Sequence, residues 1–484
     1  MKVNKFLFFI GKFLSAILAG AVVSLLSGLA LLQMLPTTYL VVAGALLFGV
    51  VALILILTWS GRGKVKMPIG LVLAVIMLFA TITGTVYVLK TVDMLESISE
   101  SGTETVHVGI YVRSDDTNDY NAVSKDYCYG ILKKLDREST DIILQQMTQT
   151  FGKSPTCLEF QSLPELIKEL LDGKVDAIIL NQEYLTLLGD MIDDKDILSR
   201  IRETALQQVE IKNDDPNDEA SADGLKPFGI YISGIDSRGT VSVRGRSDVN
   251  IMAVINPAEQ QVLLISTPRD YYVPLSISDG IPDKLTHAGN YGVEVSKETM
   301  AMLYGVEMDY YFRVNFSGFE KIIDALGGIT VHSDYSFEVA GYPSFQYQKG
   351  DNQLDGKAAL AFCRERYSFS TGDRQRGKNQ MAVIQGVMKK ALSPALLQNY
   401  VSVLKAMEGS FKTDVPMELI GALVARQLDS GGEWNVITYS VDGKSEYRIP
   451  YSLSFEASVM IPNYDTVEHA KELLQKAYNG EIVE

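Results

Sequence analysis

Three long apolar runs open the chain and predict three membrane-spanning helices. Residues 13–35, 39–59 and 69–89 each run for about twenty positions or more without a charged side chain. About 20 consecutive apolar residues are enough to cross the hydrocarbon core of a bilayer as a helix. Three successive runs without a cleavage site do not fit a signal peptide. We therefore expect residues 1–90 to form a membrane anchor.

Basic residues around these runs predict the direction of insertion. They precede the first run and fill the loop between the second and third, at Lys2, Lys5 and Lys12 and at Arg62, Lys64 and Lys66. Because lysine and arginine are enriched on the cytoplasmic side of membrane proteins, both groups belong there. We expect a multi-pass protein of the cell membrane with a cytoplasmic N-terminus and a large extracellular C-terminal part.

After a predicted stalk at residues 91–104, the pattern becomes that of a small α/β domain. Residues 106–112 alternate apolar and polar positions like a strand, and residues 163–181 resemble an amphipathic helix, a turn with glycine and a buried strand. The polar run 212–224 has the composition of a linker. We therefore assign residues 105–223 to an accessory domain, in which we find no catalytic constellation and whose role stays open.

The remaining residues, 225–484, begin with a predicted strand and a predicted hairpin. Residues 228–235 have the pattern of a strand. Residues 247–255 alternate, and after a turn a second strand follows at residues 261–267, which predicts an antiparallel hairpin. A C-terminal tail with a helix at residues 466–478 is expected to pack on this domain.

Acidic and basic side chains are predicted to meet at the open end of this hairpin. Folding it about its turn brings Asp248 opposite Pro268, Arg269 and Asp270, and Asp236 follows the neighbouring strand at the same edge. Paired aspartates with water and phosphate oxygens suit Mg²⁺, and arginine supplies a planar fork that matches phosphate. From spacing alone, the same residues also fit turn caps and surface ion pairs.

A dense basic stretch at residues 359–380, ALAFCRERYSFSTGDRQRGKNQ, indicates an anion site. Residues 359–367 alternate like a strand, which would place Phe362, Arg364 and Arg366 on one face. Two arginines side by side on one strand face need a shared anion or well-placed carboxylates.

A helix is predicted to begin at Asp373, a residue suited to capping a first turn. At about 100° per residue, Asp373, Arg376 and Gln380 lie beside the apolar stripe and face inward. The positive end of the helix also favours an anion. Arg374 and Lys378 fall on the outer, solvated face.

Charge and composition exclude several classes of partner. The chain carries 44 basic and 59 acidic residues, and its first 90 residues contain no Asp or Glu. The extracellular part is therefore strongly acidic, and we expect no direct binding to nucleic acid. The four histidines are scattered, so a zinc site has little support. Cys128 and Cys157 fit either a disulfide or two buried thiols.

Four ordered motifs resemble those of the LytR-CpsA-Psr family. They are GIDSR with RSDVNIM, STPRDYYV, FRVNFSGFEKIIDALGGITV and CRERYSFSTGDRQRGKNQ, and the similarity spans residues 226–440. The three-span anchor and accessory domain are similar to the streptococcal capsule-biosynthesis branch, the CpsA-type proteins. We expect an α/β fold with three N-terminal transmembrane helices, a small α/β accessory domain, and a catalytic α/β domain whose mixed central sheet is flanked by helices.

The resemblance also implies which residues form the site. The implied catalytic positions are Asp236, Asp248, Arg244, Arg269, Arg364 and Arg366. The implied pyrophosphate and lipid-binding positions are Lys284, Asp373, Arg376 and Gln380. Asp236 and Asp248 match the acids linked to magnesium, so Mg²⁺ is the expected cofactor. The chain departs from the family pattern at Asn379, Thr286 and His287.

The resemblance implies an extracytoplasmic phosphotransferase that moves capsular polysaccharide from a polyprenyl-pyrophosphate carrier to peptidoglycan. The implied partners are the lipid-linked polysaccharide, the peptidoglycan acceptor, the membrane and other membrane proteins of capsule assembly. Two alternatives stay open. One is a membrane regulator of capsule synthesis or transcription without chemistry, and the other is a hydrolase of the lipid pyrophosphate.

Overall fold

A computed structural model of the chain describes residues 5–31, 37–59, 66–98, 103–118, 126–185, 188, 196–212, 226–235, 245–369, 372–391, 393, 403, 406 and 409–484. The chain divides into two compact units. One comprises Met1–Ser99, Asp218–Leu225 and Val415–Glu433, and the other comprises Glu100–Asn217, Lys226–Asp414 and Trp434–Glu484. The predicted boundary between accessory and catalytic domains, at residues 223–225, lies outside the described residues.

Three long helices dominate the first unit. They are α1 (Lys5–Leu31), α2 (Thr37–Trp59) and α3 (Lys66–Ile98). Each contains a stretch long and apolar enough to cross a membrane, as the three apolar runs predicted. A Cβ atom on Gly70 would lie 2.9 Å from side-chain atoms of Leu57 and Thr58, so glycine allows α2 and α3 to pack closely. Helix α3 continues to Ile98, so the predicted stalk is helical up to that residue.

A five-stranded sheet forms the accessory part of the second unit. Its strands are β1 (Thr103–Arg113), β2 (Cys128–Leu132), β3 (Thr156–Phe160), β4 (Ala177–Asn181) and β5 (Ile201–Lys212), in the order β3-β2-β4-β1-β5. Helix α4 (Arg137–Phe151) packs on one face through Ile143 and Met147. Helix α5 (Leu163–Leu171) packs on the other face through Leu166 and Leu170. The predicted strand at 106–112 and the helix–turn–strand unit at 163–181 are confirmed.

The two cysteines of this sheet are free thiols on neighbouring strands. Cys128 packs against the core cluster that contains Leu166. Cys157 packs against the cluster on the opposite face, which contains Met147. Burial raises the pKa of both thiols. Because a disulfide needs Cβ atoms that point toward each other, this arrangement favours two separate thiols.

The C-terminal part of the chain contains the remaining elements. In chain order they are β6 (Phe228–Ile235), β7 (Ser247–Asn256), β8 (Gln261–Thr267), β9 (Tyr272–Pro274), β10 (Pro282–Lys284), α6 (Leu285–Ala288), α7 (Val293–Tyr304), β11 (Tyr310–Asn315), α8 (Phe316–Ala325), β12 (Ile329–Ser333), β13 (Phe337–Val339), β14 (Tyr342–Tyr347), β15 (Gly350–Leu354), α9 (Gly356–Arg364), α10 (Asp373–Ala391), β16 (Phe411–Thr413), α11 (Met417–Ser430), β17 (Asn435–Ser440), β18 (Gly443–Arg448), β19 (Ala457–Pro462) and α12 (Tyr464–Tyr478). Helix α11 belongs to the first unit.

The central sheet of this part has the strand order β16-β11-β6-β7-β8-β17. Strands β6 and β11 are parallel, as are β8 and β17, and the other neighbours are antiparallel. Helices α7 and α12 cover one face through Met300 and Leu474, and α10 covers the other through Met381 and Ile384. The predicted mixed sheet with flanking helices, its hairpin and the tail helix are confirmed.

The basic stretch at 359–380 begins as a helix, so the strand predicted at residues 359–367 is wrong. The side chain of Asp355 caps helix α9 by accepting the backbone N–H of Ala358 at 2.8 Å. The apolar residues buried along this helix recur every three or four positions, at Ala359, Phe362 and Cys363. That spacing is helical, whereas an alternation over so few residues fits a helix and a strand equally well.

Asp414 connects the edge strand β16 to the sheet. Its Oδ1 accepts the backbone N–H of Tyr311 at 2.6 Å, and its Oδ2 lies 3.6 Å from Lys297 Nζ. Burial raises the pKa of this carboxyl from 3.8 to about 6, despite the nearby lysine.

Between pH 4 and about pH 6, the folded protein therefore keeps a proton on Asp414 that the unfolded chain has released. The free energy of unfolding should fall as pH rises through this window. We expect Asp414→Asn, which keeps an acceptor for Tyr311, to remove a pH dependence on the order of 2 kcal/mol. Thermal unfolding of the detergent-solubilised protein on both sides of the window measures it. Identical pH profiles for the variant and the wild type would contradict the assignment.

Candidate functional site

The hairpin of β7 and β8 brings Asp248 and Arg269 together at its open end. Asn250 pairs with Thr267, and continuing this register by two residues places Asp248 opposite Arg269. Arg269 Nη1 donates to Asp248 Oδ2 at 2.6 Å. The other oxygen, Asp248 Oδ1, accepts from Thr286 Oγ1 at 3.3 Å. The predicted meeting of Asp248 with Arg269 is confirmed, and both carboxylate oxygens have partners.

Asp248 is an extra residue in β7, a β-bulge. Gly234 pairs with Val249 and Ile235 pairs with Ser247, which leaves Asp248 without an opposite residue on β6. Ser247 Oγ donates to the carbonyl of Val249 at 3.0 Å across the bulge. Bulges bend a strand locally and re-aim a side chain, often beside an active site. Strand alternation alone did not predict this one.

An alternating row of charges continues from Asp248 and Arg269. Arg269 Nε lies 3.7 Å from Asp270 Oδ1, which also accepts from Lys284 Nζ at 3.0 Å. All four side chains are less than one fifth exposed, so water and salt screen these pairs less than pairs on the surface. Two acids balance two bases here. A multiply charged anion would therefore need further cations.

Helix α10 brings two further arginines, Arg374 and Arg376, to this end of the sheet. Its first turns pass over the ends of β8 and β17 and close one side of a solvent-open cleft. The cleft is lined by Asp248, Ser266, Thr267, Pro268, Arg269, Arg374, Arg376, Gly377, Gln380, Ser440 and Val441. Arg376 is buried, and Gln380 is partly buried. The prediction that Arg376 and Gln380 face inward is confirmed.

Two serine residues lie side by side at this end of the sheet. Strands β8 and β17 run parallel, and their register pairs Ser266 with Ser440. A Cβ atom on Gly377 would lie 2.8 Å from Ser266 Oγ, so glycine allows α10 to lie close to these strand ends. Ser440 Oγ is buried and has no hydrogen-bond partner among the described residues. Its hydroxyl is therefore suited to contact a ligand in the cleft.

Arg374 is exposed to solvent, as predicted, but it also lines the cleft, so its placement on the outer face alone is wrong. Its Nη2 lies 2.5 Å from Asp442 Oδ1, and the hydroxyl of Tyr271 donates to the carbonyl of Asp442. Burial raises the pKa of Tyr271, so this phenol stays protonated as a donor. The loop after β17 forms part of the cleft wall. The periodicity of α10 predicts which helix face a residue lies on, but not where this loop lies. Lys378 is exposed, as predicted.

Arg364 and Arg366 are not among the described residues that line this cleft. Arg364 ends α9, and its guanidinium lies 4.4 Å from the ring centre of Phe316. Arg366 follows that helix and lies 4.7 Å from the ring centre of Tyr367. The argument from a shared strand face is therefore wrong for this pair, and their assignment rests on the family resemblance alone.

Three other predicted site residues lie wholly or partly outside the described part of the chain. Asp236 and Arg244 lie outside the described residues. Asp373 begins α10, as predicted, but its side chain also lies outside them. Lys284 is described and belongs to the charge row through Asp270.

Arg313 is a buried arginine that the sequence analysis missed. It lies on β11 and is almost fully enclosed. Its Nη2 donates to the carbonyls of Gly245 at 3.2 Å and Gly289 at 3.4 Å. It therefore holds the segment that enters β7 just before Asp248. Strand alternation places Arg313 on the same inward face as Tyr311. This alternation could have identified Arg313 as a buried residue from the sequence.

The arrangement suits a small oxyanion that is held by arginines and contacted by hydroxyl groups. Its protein oxygens could also hold a hard cation, because Asp248 and the two serines border a cleft that admits water. Among the described residues, no group of three or more His, Cys, Asp and Glu side chains could hold a metal by itself. A cation here would need water or ligand oxygens as well.

Gly289→Ala tests how tightly the segment before Asp248 is held. The new Cβ atom would overlap the carbonyl oxygen of Gly245 and lie 2.7 Å from the backbone nitrogen of Ser247, and backbone atoms cannot rotate away. We expect the free energy of unfolding to fall by about 1–3 kcal/mol, measured by thermal denaturation. Gly49→Ala is the matched control, because nothing lies within 4 Å of that position. An equal loss in both variants would contradict the close approach.

The chain is similar in sequence to several known proteins. Polyisoprenyl-teichoic acid–peptidoglycan teichoic acid transferases TagU are similar to this chain. The protein from Enterococcus faecalis is 33% identical over 202 residues, which cover 41% of this chain and 65% of the relative. The protein from Bacillus subtilis is 33% identical over 201 residues, with 41% and 64% coverage. The alignments thus span slightly less than two thirds of these relatives.

Solved structures are also similar to part of the chain. The crystal structure of Bacillus subtilis TagV has a TM-score of 0.45 and 25% identity, and covers 53% of this chain and 98% of that one. The protein gbs0355 from Streptococcus agalactiae has a TM-score of 0.46 and 24% identity, with 55% and 92% coverage. The sequence model of the LytR_cpsA_psr family matches residues 197–472, more than half of the chain. The chain therefore belongs to the LytR_cpsA_psr family.

Proposed function

We propose that this protein is an extracytoplasmic phosphotransferase that moves a glycopolymer from a polyprenyl-pyrophosphate carrier to peptidoglycan. The observation that carries the proposal is the cleft in which Arg269, Arg374 and Arg376 lie beside Asp248. Guanidinium groups match phosphate oxygens in shape and charge. The relatives named as transferases of teichoic acid to peptidoglycan support the same class of reaction.

The cargo that we propose is capsular polysaccharide. The names of the relatives specify teichoic acid, but the alignment covers only 41% of this chain. The three N-terminal helices and that sheet are the features that resemble the capsule branch of the family. Other membrane proteins of capsule assembly are further proposed partners.

The proposed topology places the cleft on the same side of the membrane as its acceptor. Three helices are long and apolar enough to span the bilayer, and the basic residues near their ends favour a cytoplasmic N-terminus. An odd number of crossings then puts residues after the third helix outside the cell. Peptidoglycan lies in that compartment.

The proposed reaction joins an acceptor hydroxyl to the phosphorus next to the glycan. The hydroxyl oxygen forms the new bond to phosphorus and gives its proton to an aspartate of the site, the bond to the bridging oxygen breaks, and polyprenyl phosphate leaves. Phosphoryl transfer depends mainly on positioning and on neutralising charge. Arg269, Arg374 and Arg376 would bind and orient the pyrophosphate, and Lys284 would keep Asp270 and Arg269 in place. Arg364 and Arg366 are retained as pyrophosphate ligands on the resemblance alone.

Mg²⁺ is the cofactor that we propose. The cleft offers oxygen donors beside its arginines, among them the Asp248 carboxylate and the hydroxyls of Ser266 and Ser440, and such hard ligands suit Mg²⁺ with several retained waters. Asp248 would hold the ion together with Asp236. When bound, the ion would neutralise charge on the phosphate oxygens.

A transfer assay with matched variants tests the proposal. We expect Asp248→Ala and Arg376→Ala to lower turnover by about 100-fold or more, because each removes a charged group at the phosphate. Lys378→Ala, an exposed position on the same helix, should stay near the wild-type rate. Full-length protein in proteoliposomes would receive labelled glycan on polyprenyl pyrophosphate, with peptidoglycan fragments as acceptor.

The products of this assay separate the competing functions. Label attached covalently to peptidoglycan supports transfer, whereas released glycan phosphate in the presence of acceptor supports hydrolysis. Wild-type turnover that does not depend on Asp248 or Arg376 would refute this cleft as the site.

Removal of divalent cations tests the cofactor. We expect chelation by EDTA to lower turnover by at least about tenfold and added Mg²⁺ to restore it, since the ion would supply charge stabilisation. Asp248→Asn should not be restored in this way. Undiminished turnover in EDTA would contradict the proposed cofactor while leaving the arginine cleft intact.

A further inference from the structure

Residues 275–291 connect the accessory sheet to the candidate site, and we call them the bridging segment. The segment includes β10, α6 and the turn Gly289–Tyr291. Leu275, Ile277, Ala288 and Tyr291 are buried in the same core cluster as Leu166 of the accessory helix α5. One side of the segment is therefore embedded in the core of the accessory sheet.

Direct contacts join the accessory sheet to this side of the segment. The ring of Tyr184, which follows β4, lies 6.2 Å from the ring of Tyr291. Lys133 Nζ and Lys134 Nζ lie 3.1 and 2.5 Å from the two carboxylate oxygens of Asp279. The lysines are more than 40% exposed, and ion pairs of that kind contribute little. The buried apolar contacts therefore provide most of the attachment.

The other side of the bridging segment contacts the charge row. The backbone N–H of Thr286 donates to the carbonyl of Arg269 at 2.8 Å, and that of Leu285 donates to the carbonyl of Tyr271 at the same distance. The side chain of Thr286 reaches Asp248, and that of Lys284 reaches Asp270. Residues of this one segment thus hold both acids of the row.

A buried carboxylate stiffens the segment between its two sides. Asp283 is fully enclosed, and its Oδ1 accepts the backbone N–H of Lys284 at 2.7 Å and lies 2.7 Å from His287 Nδ1. Its Oδ2 accepts the backbone N–H of Ser452 at 3.1 Å. Buried polar groups whose partners are all supplied hold a unique geometry. Asp283 thus connects the accessory side of the segment to Lys284 by fixed contacts.

We propose that the accessory sheet is a buttress for the catalytic cleft. Its apolar face fixes the bridging segment, and the segment positions Asp248, Arg269 and Lys284 for phosphoryl transfer. Ile277 and Tyr291 are then positioning residues, because they act through the segment and touch no substrate. The proposal rests on the proposed phosphotransferase function and gives the accessory sheet a role in it. Catalysis by oriented charges is sensitive to shifts of about 1 Å, which is why a remote support affects the rate.

A pair of isoleucines in the bridging segment provides a matched test. Ile277 is 9% exposed and belongs to the shared cluster, whereas Ile281, four residues later, is 48% exposed. We expect Ile277→Ala to lower kcat for transfer by about tenfold or more and Ile281→Ala to leave it near the wild-type value. Both are measured on full-length protein well below the unfolding temperature of either variant. Ile277→Val, which keeps most of the buried side chain, should recover most of the rate.

Hydrogen–deuterium exchange supplies a readout that needs no activity. The amides of Leu285 and Thr286 should exchange faster in Ile277→Ala than in wild type, because the segment that carries them is loosened. Ile281→Ala should not change them. Met147→Ala is a second control, since it cuts into the core on the far face of the accessory sheet. It should lower thermal stability without altering exchange at these two amides.

The outcomes separate failure of this proposal from failure of the proposed function. Wild-type transfer that requires Asp248, combined with equal kcat and equal exchange in the two isoleucine variants, would overturn the buttress alone. Absence of transfer by the wild type would overturn the function. Faster exchange at Leu285 and Thr286 with an unchanged kcat would also overturn the positioning role, because the segment would then move without consequence for the chemistry.

Discussion

The contact between Asp248 and Arg269 is the constraint around which the candidate site is arranged. A carboxylate and a guanidinium lie 2.6 Å apart where two strands end, and both side chains are largely withdrawn from solvent. Charges in such a place are costly unless each has partners. The bulge in β7 aims Asp248, Thr286 occupies its second oxygen, and Asp270 with Lys284 continues the alternation. The same arrangement leaves the pair at the edge of an open cleft.

The strand order of the central sheet makes that cleft possible. Strands β8 and β17 are parallel neighbours, so their ends meet at one edge and place Ser266 beside Ser440. Helix α10 lies over those ends, close enough that Gly377 has no room for a larger side chain without displacing Ser266. The helix thereby brings Arg374 and Arg376 to a group whose own charges cancel. Three arginines thus line one cleft in an acidic protein.

Support for this edge comes from outside the central sheet as well. Arg313 contacts the chain just before β7, and the bridging segment contacts Asp248 and Asp270. That segment is part of the same apolar cluster as the accessory sheet. The proposed buttress role lets this accessory layer influence the cleft through packing.

The sequence by itself determined the features that depend on local pattern. Apolar length predicted the three long helices, alternation and turn residues predicted the β7–β8 hairpin, and a capping position predicted the start of α10 at Asp373. The meeting of Asp248 with Arg269 followed from hairpin register. These features rest on residues close together in the chain, where periodicity and turn chemistry decide the outcome.

Only the tertiary structure decided the features that depend on distant partners. Residues 356–364 form a helix because their apolar side chains pack into a core built by other segments, and this removed the shared strand face expected for Arg364 and Arg366. The bulge at Asp248 depends on pairing with β6, and the position of Arg374 depends on Asp442 after β17. The sequence of a single segment does not specify which distant segment will pack against it, so these features depend on long-range packing.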